Sequence, residues 1–167
     1  GQNFITDNNL LDAIVADSGV TANDVVVEIG TGAGTLTKAI AKVAKKVISF
    51  EIDRNLKDVL DVTLSGLENV QVVFRDIMKV TDKELKEIVG EQYKVVANLP
   101  YYITTPIIMR FLEGDFRPQS LTIMIQKEVA ERLTAKAGTA DYGAITAAVE
   151  LYAKIIFIPC LKWIAVL

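Results

Sequence analysis

Five short runs rich in valine and isoleucine, almost unbroken by polar residues, alternate along this chain with stretches of helical spacing. The runs are "VVVEI" (25–29), "KVISFEI" (46–52), "VQVVF" (70–74), "YKVVAN" (93–98) and "SLTIMIQ" (120–126). A strand with water on one face alternates apolar and polar residues, whereas one that is apolar throughout is buried on both faces. The stretches between them, 7–18, 35–44, 54–65, 82–89, 105–113 and 127–136, carry helix periodicity. Asp7, Thr35, Asp53, Thr81 and Thr104 or Thr105 stand where N-caps belong. Strand–helix alternation of this kind builds a parallel sheet with helices on both faces, joined by right-handed crossovers. The chain is therefore predicted to be α/β. After a further helical stretch (142–153), "KIIFI" (154–158) and "KWIAVL" (162–167) fit an antiparallel hairpin at the sheet edge. The short join Pro159-Cys160-Leu161 between them also suits a place where a loop is missing.

Ligands of open parallel sheets bind outside the carboxyl ends of the strands, so the residues that end each run deserve the closest reading. The first run leads into "EIGTGAGT", where Gly30, Gly32 and Gly34 let the backbone turn sharply and approach a ligand. A dinucleotide fingerprint needs a third glycine at position 35, which is Thr35 here. The acidic-x-Gly-x-Gly-x-Gly pattern suits a nucleoside ligand without a pyrophosphate, such as S-adenosylmethionine. Glu28 can order the loop or face an ammonium group. Glu51 ends the second run, placed to accept hydrogen bonds from both ribose hydroxyls, while Asp53 beside it suits a helix start. Asp76 follows the third run and can accept from an adenine amine, with Ile52 and Ile77 on either side of the ring. Each of these has a plainer reading as a turn or cap residue; together they outline an adenosine-shaped pocket.

The fourth run ends in "NLPY". Pro100 holds Leu99 extended and removes a backbone donor. The Asn98 side-chain oxygen and the Leu99 carbonyl then form a pair of acceptors matched to one NH2 group, and Tyr101 offers a flat face to an aromatic base. A flipped or single-stranded adenine is the substrate such a pocket implies.

The motifs "GQNFITD", "VVEIGTGAGTLT", "FEID", "RDIMK", "NLPYYITTPII", "QKEVAERLTAK" and "DYG" resemble those of the ribosomal RNA adenine N6,N6-dimethyltransferases, in order and spacing over residues 1–159. The small-subunit, KsgA-type dimethyladenosine transferase branch is the nearest in pattern. The resemblance implies a Rossmann-like class I methyltransferase fold, a seven-stranded sheet with six strands parallel and one antiparallel. It implies that Asn3, Ile5, Gly30, Glu51, Asp76 and Asn98 contact S-adenosylmethionine, with Gly32, Ile52 and Ile77 lining the same pocket. Asn98, Leu99 and Tyr101 would meet the target adenine. The implied partner is small-subunit ribosomal RNA or an immature small subunit. Relatives carry a loop of the form F-x-P-x-P-K-V where this chain has "IPCLKWIAVL", and a small helical C-terminal domain that residues 1–167 do not include. Residues 1–167 are thus read as the catalytic domain alone. Two alternatives share the fold: an erythromycin-resistance-type enzyme acting on a large-subunit adenine, and a non-catalytic assembly or transcription factor.

Composition narrows the rest. One cysteine and no histidine leave no disulfide framework and no metal site, and suit the reducing cytoplasm. No apolar run approaches the ~20 residues that span a membrane, so no membrane association is expected, and the chain is read as a monomer. A net charge of −3 disfavours a general nucleic-acid coat protein. The basic groups Lys42, Lys45, Lys46, Arg110, Arg117, Lys127, Arg132 and Lys136 read as solvated helix faces, so RNA would need a focused basic rim or a further domain.

Overall fold

The computed structural model describes residues 7–158 and 163–166. Five parallel strands form the body of one sheet: β1 (Val25–Ile29), β2 (Lys46–Phe50), β3 (Val70–Val73), β4 (Lys94–Asn98) and β5 (Leu121–Met124). Two further strands, β6 (Ile155–Ile158) and β7 (Trp163–Val166), extend it to seven in the order β3-β2-β1-β4-β5-β7-β6. β7 runs antiparallel to both β5 and β6, so the tail is a hairpin laid on the sheet edge. The join between β6 and β7, where the sequence suited a missing loop, lies outside the described residues.

Burial explains the apolar runs. Val26, Val47 and Val96 face one side of the sheet and pack on Leu11, Ile14 and Val15 of α1 (Asn8–Asp17) and Leu36 and Ile40 of α2 (Thr35–Ala41). Val27, Ile48 and Val95, one residue along each strand, face the other side. There they meet Leu85 of α4 (Asp82–Val89), Ile107, Ile108 and Phe111 of α5 (Tyr101–Glu113), Leu133 of α6 (Lys127–Leu133) and Ile145 of α7 (Ala144–Tyr152). All of these are at most 7% exposed. Each such side chain contributes about 1.5–3 kcal/mol on burial. β3, outermost on its side, keeps no fully buried residue, as an edge strand does.

The helix starts follow from local chemistry. Asp7 accepts from the Asn9 and Leu10 N–H groups to cap α1, and Asp53 accepts from Asn55 N–H at a 3-10 turn (Arg54–Leu56) that leads into α3 (Lys57–Thr63). Thr81 and Glu84 form a reciprocal capping box on α4. Two expected starts move. The cap of α2 is Gly34 rather than Thr35, because the chain enters that helix in a left-handed conformation, φ +81°, that a β-branched residue disfavours. α5 begins at Tyr101, not near 105: Pro100 at the N-cap is already extended, and its carbonyl accepts from both Ile103 N–H and the Thr104 hydroxyl. Among the described residues, no helix is long and apolar enough to cross a membrane.

Candidate active site

Strand order reverses at β1, whose neighbours are β2 on one side and β4 on the other. At the carboxyl ends of these strands lies a cavity of about 760 Å3, well within the ~300–1,000 Å3 of small-molecule sites. Its wall brings together Gly30, Gly32, Glu51, Ile52, Asp76, Ile77, Asn98 and Leu99. Those eight predicted residues come from four separate strand ends. Tyr101 is the first residue of α5, directly after this wall; Asn3 and Ile5 lie outside the described residues.

The glycine loop is built for close approach. Gly30 and Gly34 both have φ of +81°, and a Cβ added at Gly30 would meet open space rather than protein. At Gly34 a Cβ would sit 3.0 Å from Leu64 and 3.3 Å from Leu60, so that glycine lets α2 pack on α3. The two glycines therefore serve different ends, one toward the cavity and one toward the core.

Glu51 is only 2% exposed. Its Oε2 accepts from Gly32 N–H at 2.9 Å, and its Oε1 from Ile52 and Asp53 N–H at 2.8 and 2.9 Å. Three backbone donors compensate the buried charge and lash the glycine loop to the end of β2. A carboxylate has about four acceptor positions, so Glu51 keeps capacity for a further donor beside these three amides. Asp76 uses Oδ1 to cap a 3-10 turn (Ile77–Lys79) through Met78 N–H. It is thus both the turn residue of its plainer reading and part of the cavity wall. Ile77 is buried in that wall, whereas Ile52 is 72% exposed on its outer lip.

Glu28 is absent from the wall. Fully buried on β1, it accepts from the Thr37 and Ser49 hydroxyls at Oε2, both at 2.6 Å. While Glu28 is ionised the single Ser49 proton is spent on it, and Thr31 then donates to Ser49 across their 2.6 Å contact. Thr31 does line the cavity. Burial pushes the Glu28 carboxyl up to about 7, against the pull of the Ser49 and Thr37 hydroxyls and with a further push from Glu51. Of its two roles, ordering the loop is the one its bonds show.

The far side of the cavity was not anticipated. Met124 ends β5, Ile125 and Gln126 follow it, and Lys127 opens α6. The strand-end rule that singled out the other runs applied equally to this one. Tyr102, 82% exposed at the mouth, neighbours a motif already noted. Leu11, from α1, carried no signal beyond its helical spacing.

A family model described as ribosomal RNA adenine dimethylase matches residues 1–161. Ribosomal RNA small subunit methyltransferase A of Clostridioides difficile (strain 630) is 50% identical over 154 residues, 91% of this chain and 53% of that protein. Its counterpart in Alkaliphilus metalliredigens (strain QYMF) is 51% identical over 154 residues, 91% of this chain and 54% of that protein. The chain thus spans about half the length of the curated relatives it matches. Among solved structures, a dimethyladenosine transferase from Plasmodium falciparum superposes with a TM-score of 0.77 at 28% identity, covering 98% of this chain and 61% of that one. The 23S rRNA methyltransferase ErmE gives 0.75 at 26% identity, covering 98% and 69%.

Proposed function

The chain belongs to the ribosomal RNA adenine dimethylase family, and from that premise we propose that residues 1–167 are a catalytic domain for N6,N6-dimethylation of adenosines in small-subunit ribosomal RNA, with S-adenosylmethionine as methyl donor. The fold is the Rossmann-like one of class I methyltransferases. One observation carries the reading: the glycine loop, Glu51, Asp76–Ile77 and Asn98–Leu99, scattered over four strand ends, line a single cavity. The small-subunit branch is favoured by about half identity to small-subunit relatives against 26% to ErmE. The same reading has the protein act as a monomer in the cytoplasm, on an immature small subunit.

The residues present fit the cofactor. Open space at Gly30 admits a ligand against the backbone, Glu51 keeps acceptor capacity for a ribose hydroxyl, and Ile52 and Ile77 offer two apolar walls for a ring with Asp76 at its edge. The proposal keeps Asn3 and Ile5 among the cofactor contacts. S-Adenosylmethionine, when bound, supplies a methyl group already activated by its sulfonium. What remains for the protein is geometry. The Asn98 side-chain oxygen and the Leu99 main-chain carbonyl accept the hydrogens of the adenine amine, drawing N6 toward tetrahedral shape and favouring the positive charge that develops on it. Tyr101 stacks on the target base. Holding donor and amine in line is worth up to ~7–11 kcal/mol in favourable cases. The N6 proton becomes acidic on alkylation and leaves to water, so no side-chain base is required.

Two measurements test this. Calorimetric titration should show saturable binding of S-adenosylmethionine and none of NAD; the reverse would end the cofactor reading. Tritium transfer from methyl-labelled donor to immature small subunits should fall about 10²–10³-fold with Asn98→Ala, and near-normal turnover would remove its assigned role.

A further inference from the structure

The sequence places Arg110 among solvated basic groups, yet its side chain is only 13% exposed. It projects from the last turns of α5 and donates through Nε to the Ile77 carbonyl at 3.1 Å and through Nη2 to the Val80 carbonyl. Its Nη1 pairs with Asp82 Oδ1 at 3.2 Å. Asp82 in turn accepts, at Oδ2, from Asp115 and Phe116 N–H just beyond the end of α5. A second guanidinium, Arg75, takes the carbonyl between those two, Lys79, at 3.2 Å and pairs with Glu84 at 2.8 Å. Arg75 is 42% exposed, which leaves the buried Arg110 fork as the stronger hold.

The turn so gripped, Ile77–Lys79, carries the wall residue Ile77 and is capped by Asp76. The gripping helix begins immediately after Asn98-Leu99-Pro100. Roughly 14 Å of helix separates Tyr101 from Arg110 at 1.5 Å per residue. One helix therefore reaches both halves of the cavity, its first residue following the Asn98–Leu99 wall and its last turns holding the Ile77 turn.

We infer that Arg110 is a positioning residue: its fork on the Ile77 and Val80 carbonyls sets Asp76 and Ile77 at the depth where they read the base of the cofactor, and holds that wall at a fixed distance from the Asn98–Leu99 amine clamp. The inference rests on the reading of Asp76–Ile77 as the adenine wall. Arg110 touches neither ligand; it acts through the turn. A merely structural arginine would lower stability without changing which base is preferred. A positioning one controls the preference itself, because an adenine amine finds Asp76 only when the turn is in register.

The test compares the affinities of S-adenosylhomocysteine and S-inosylhomocysteine, which differ at the position Asp76 would read, by calorimetry on the whole chain well below its melting temperature. The wild type should prefer the adenosyl ligand at least tenfold. Arg110→Met should cut that preference at least fivefold. Arg110→Lys, whose single ammonium can pair with Asp82 but cannot fork across two carbonyls, should keep the fold and cut it about threefold. Val89→Ala, a core change in α4, should lower the melting temperature and leave the preference intact. Full preference in folded Arg110→Lys and Arg110→Met, or in the lysine variant alone if methionine prevents folding, overturns the inference while the cofactor reading stands. A wild type that binds both ligands equally overturns the inference through its premise about the wall, and one that binds neither ends the cofactor reading as well.

Discussion

Replacing Glu28 with glutamine tests the electrostatics beneath the glycine loop. The carboxyl is completely buried, and Oε1 has no hydrogen-bond partner among the described residues. Burial raises it from an ordinary 4.5 to about 7. Below pH 4.5 both folded and unfolded chains hold the proton and the group is neutral in pH terms. Between 4.5 and 7 only the folded chain binds it, so stability falls as pH rises, and above 7 the loss is complete. At 1.36 kcal/mol per unit the whole swing is about 3 kcal/mol. The window is unusually clean because the chain contains no histidine. Aspartates 24 and 82, whose carboxyls hydrogen bonding holds low despite burial, act in the opposite sense but below pH 4. Urea unfolding at pH 5, 6, 7 and 8 should show the wild type losing most of that 3 kcal/mol. Glu28→Gln should be nearly flat. It keeps an oxygen for Thr37 and Ser49 but buries an amide with no partner, costing about 1–3 kcal/mol at pH 5. By pH 8 the two proteins should be of similar stability. A flat wild-type profile, or a variant that keeps the slope, would refute the reasoning.

Three further outcomes follow from the geometry. Gly34→Ala places a methyl group 3.0–3.3 Å from Leu64, Thr63 and Leu60 at a left-handed φ; it should cost about 1–3 kcal/mol in denaturant unfolding, and an unchanged midpoint would count against close packing of α2 on α3. Glu51→Ala strips three backbone donors of their acceptor and should weaken S-adenosylmethionine binding at least tenfold, ~1.4 kcal/mol by calorimetry; unchanged affinity would free the cofactor reading from this carboxylate. Thr81→Ala breaks the capping box of α4 and should cost about 1 kcal/mol, visible as a lower melting temperature with ligand binding intact.

The strands were legible because burial on both faces leaves an unambiguous mark: Val26 and Val27 can both be apolar only if helices cover both sides. The cavity wall was legible for a related reason, since a parallel sheet gathers its strand ends at one edge and the unusual residues stood at those ends. Helix starts were less so. Thr35 looks like a cap in isolation, but the left-handed entry at Gly34 shifts the boundary by one residue. Pro100 reads as a residue that holds Leu99 extended, yet as the N-cap residue it also opens α5, its carbonyl accepting from Ile103 N–H and the Thr104 hydroxyl. Arg110 was misplaced because its partners, Ile77, Val80 and Asp82, lie some thirty residues upstream and nothing in its own neighbourhood announces them. Glu51 shows the limit differently: its residue type and position were apparent, but the three amides that already occupy it depend on how the loop folds back.

The pairing of β1 with β4, Val26 beside Lys94 and Ile29 beside Ala97, bears on how the molecule comes into being during translation. Everything from β2 through α4 must be made before the central pair can zip, and β5 must follow before the recess has its opposite bank. A nascent chain interrupted between about residues 99 and 120 has the glycines, the acids and even the asparagine, but not the bank that Met124 to Lys127 supply. Small molecules that steady the finished fold by mass action can lend nothing to that unfinished one, so the chain through about residue 127 must leave the ribosome before the recess is whole.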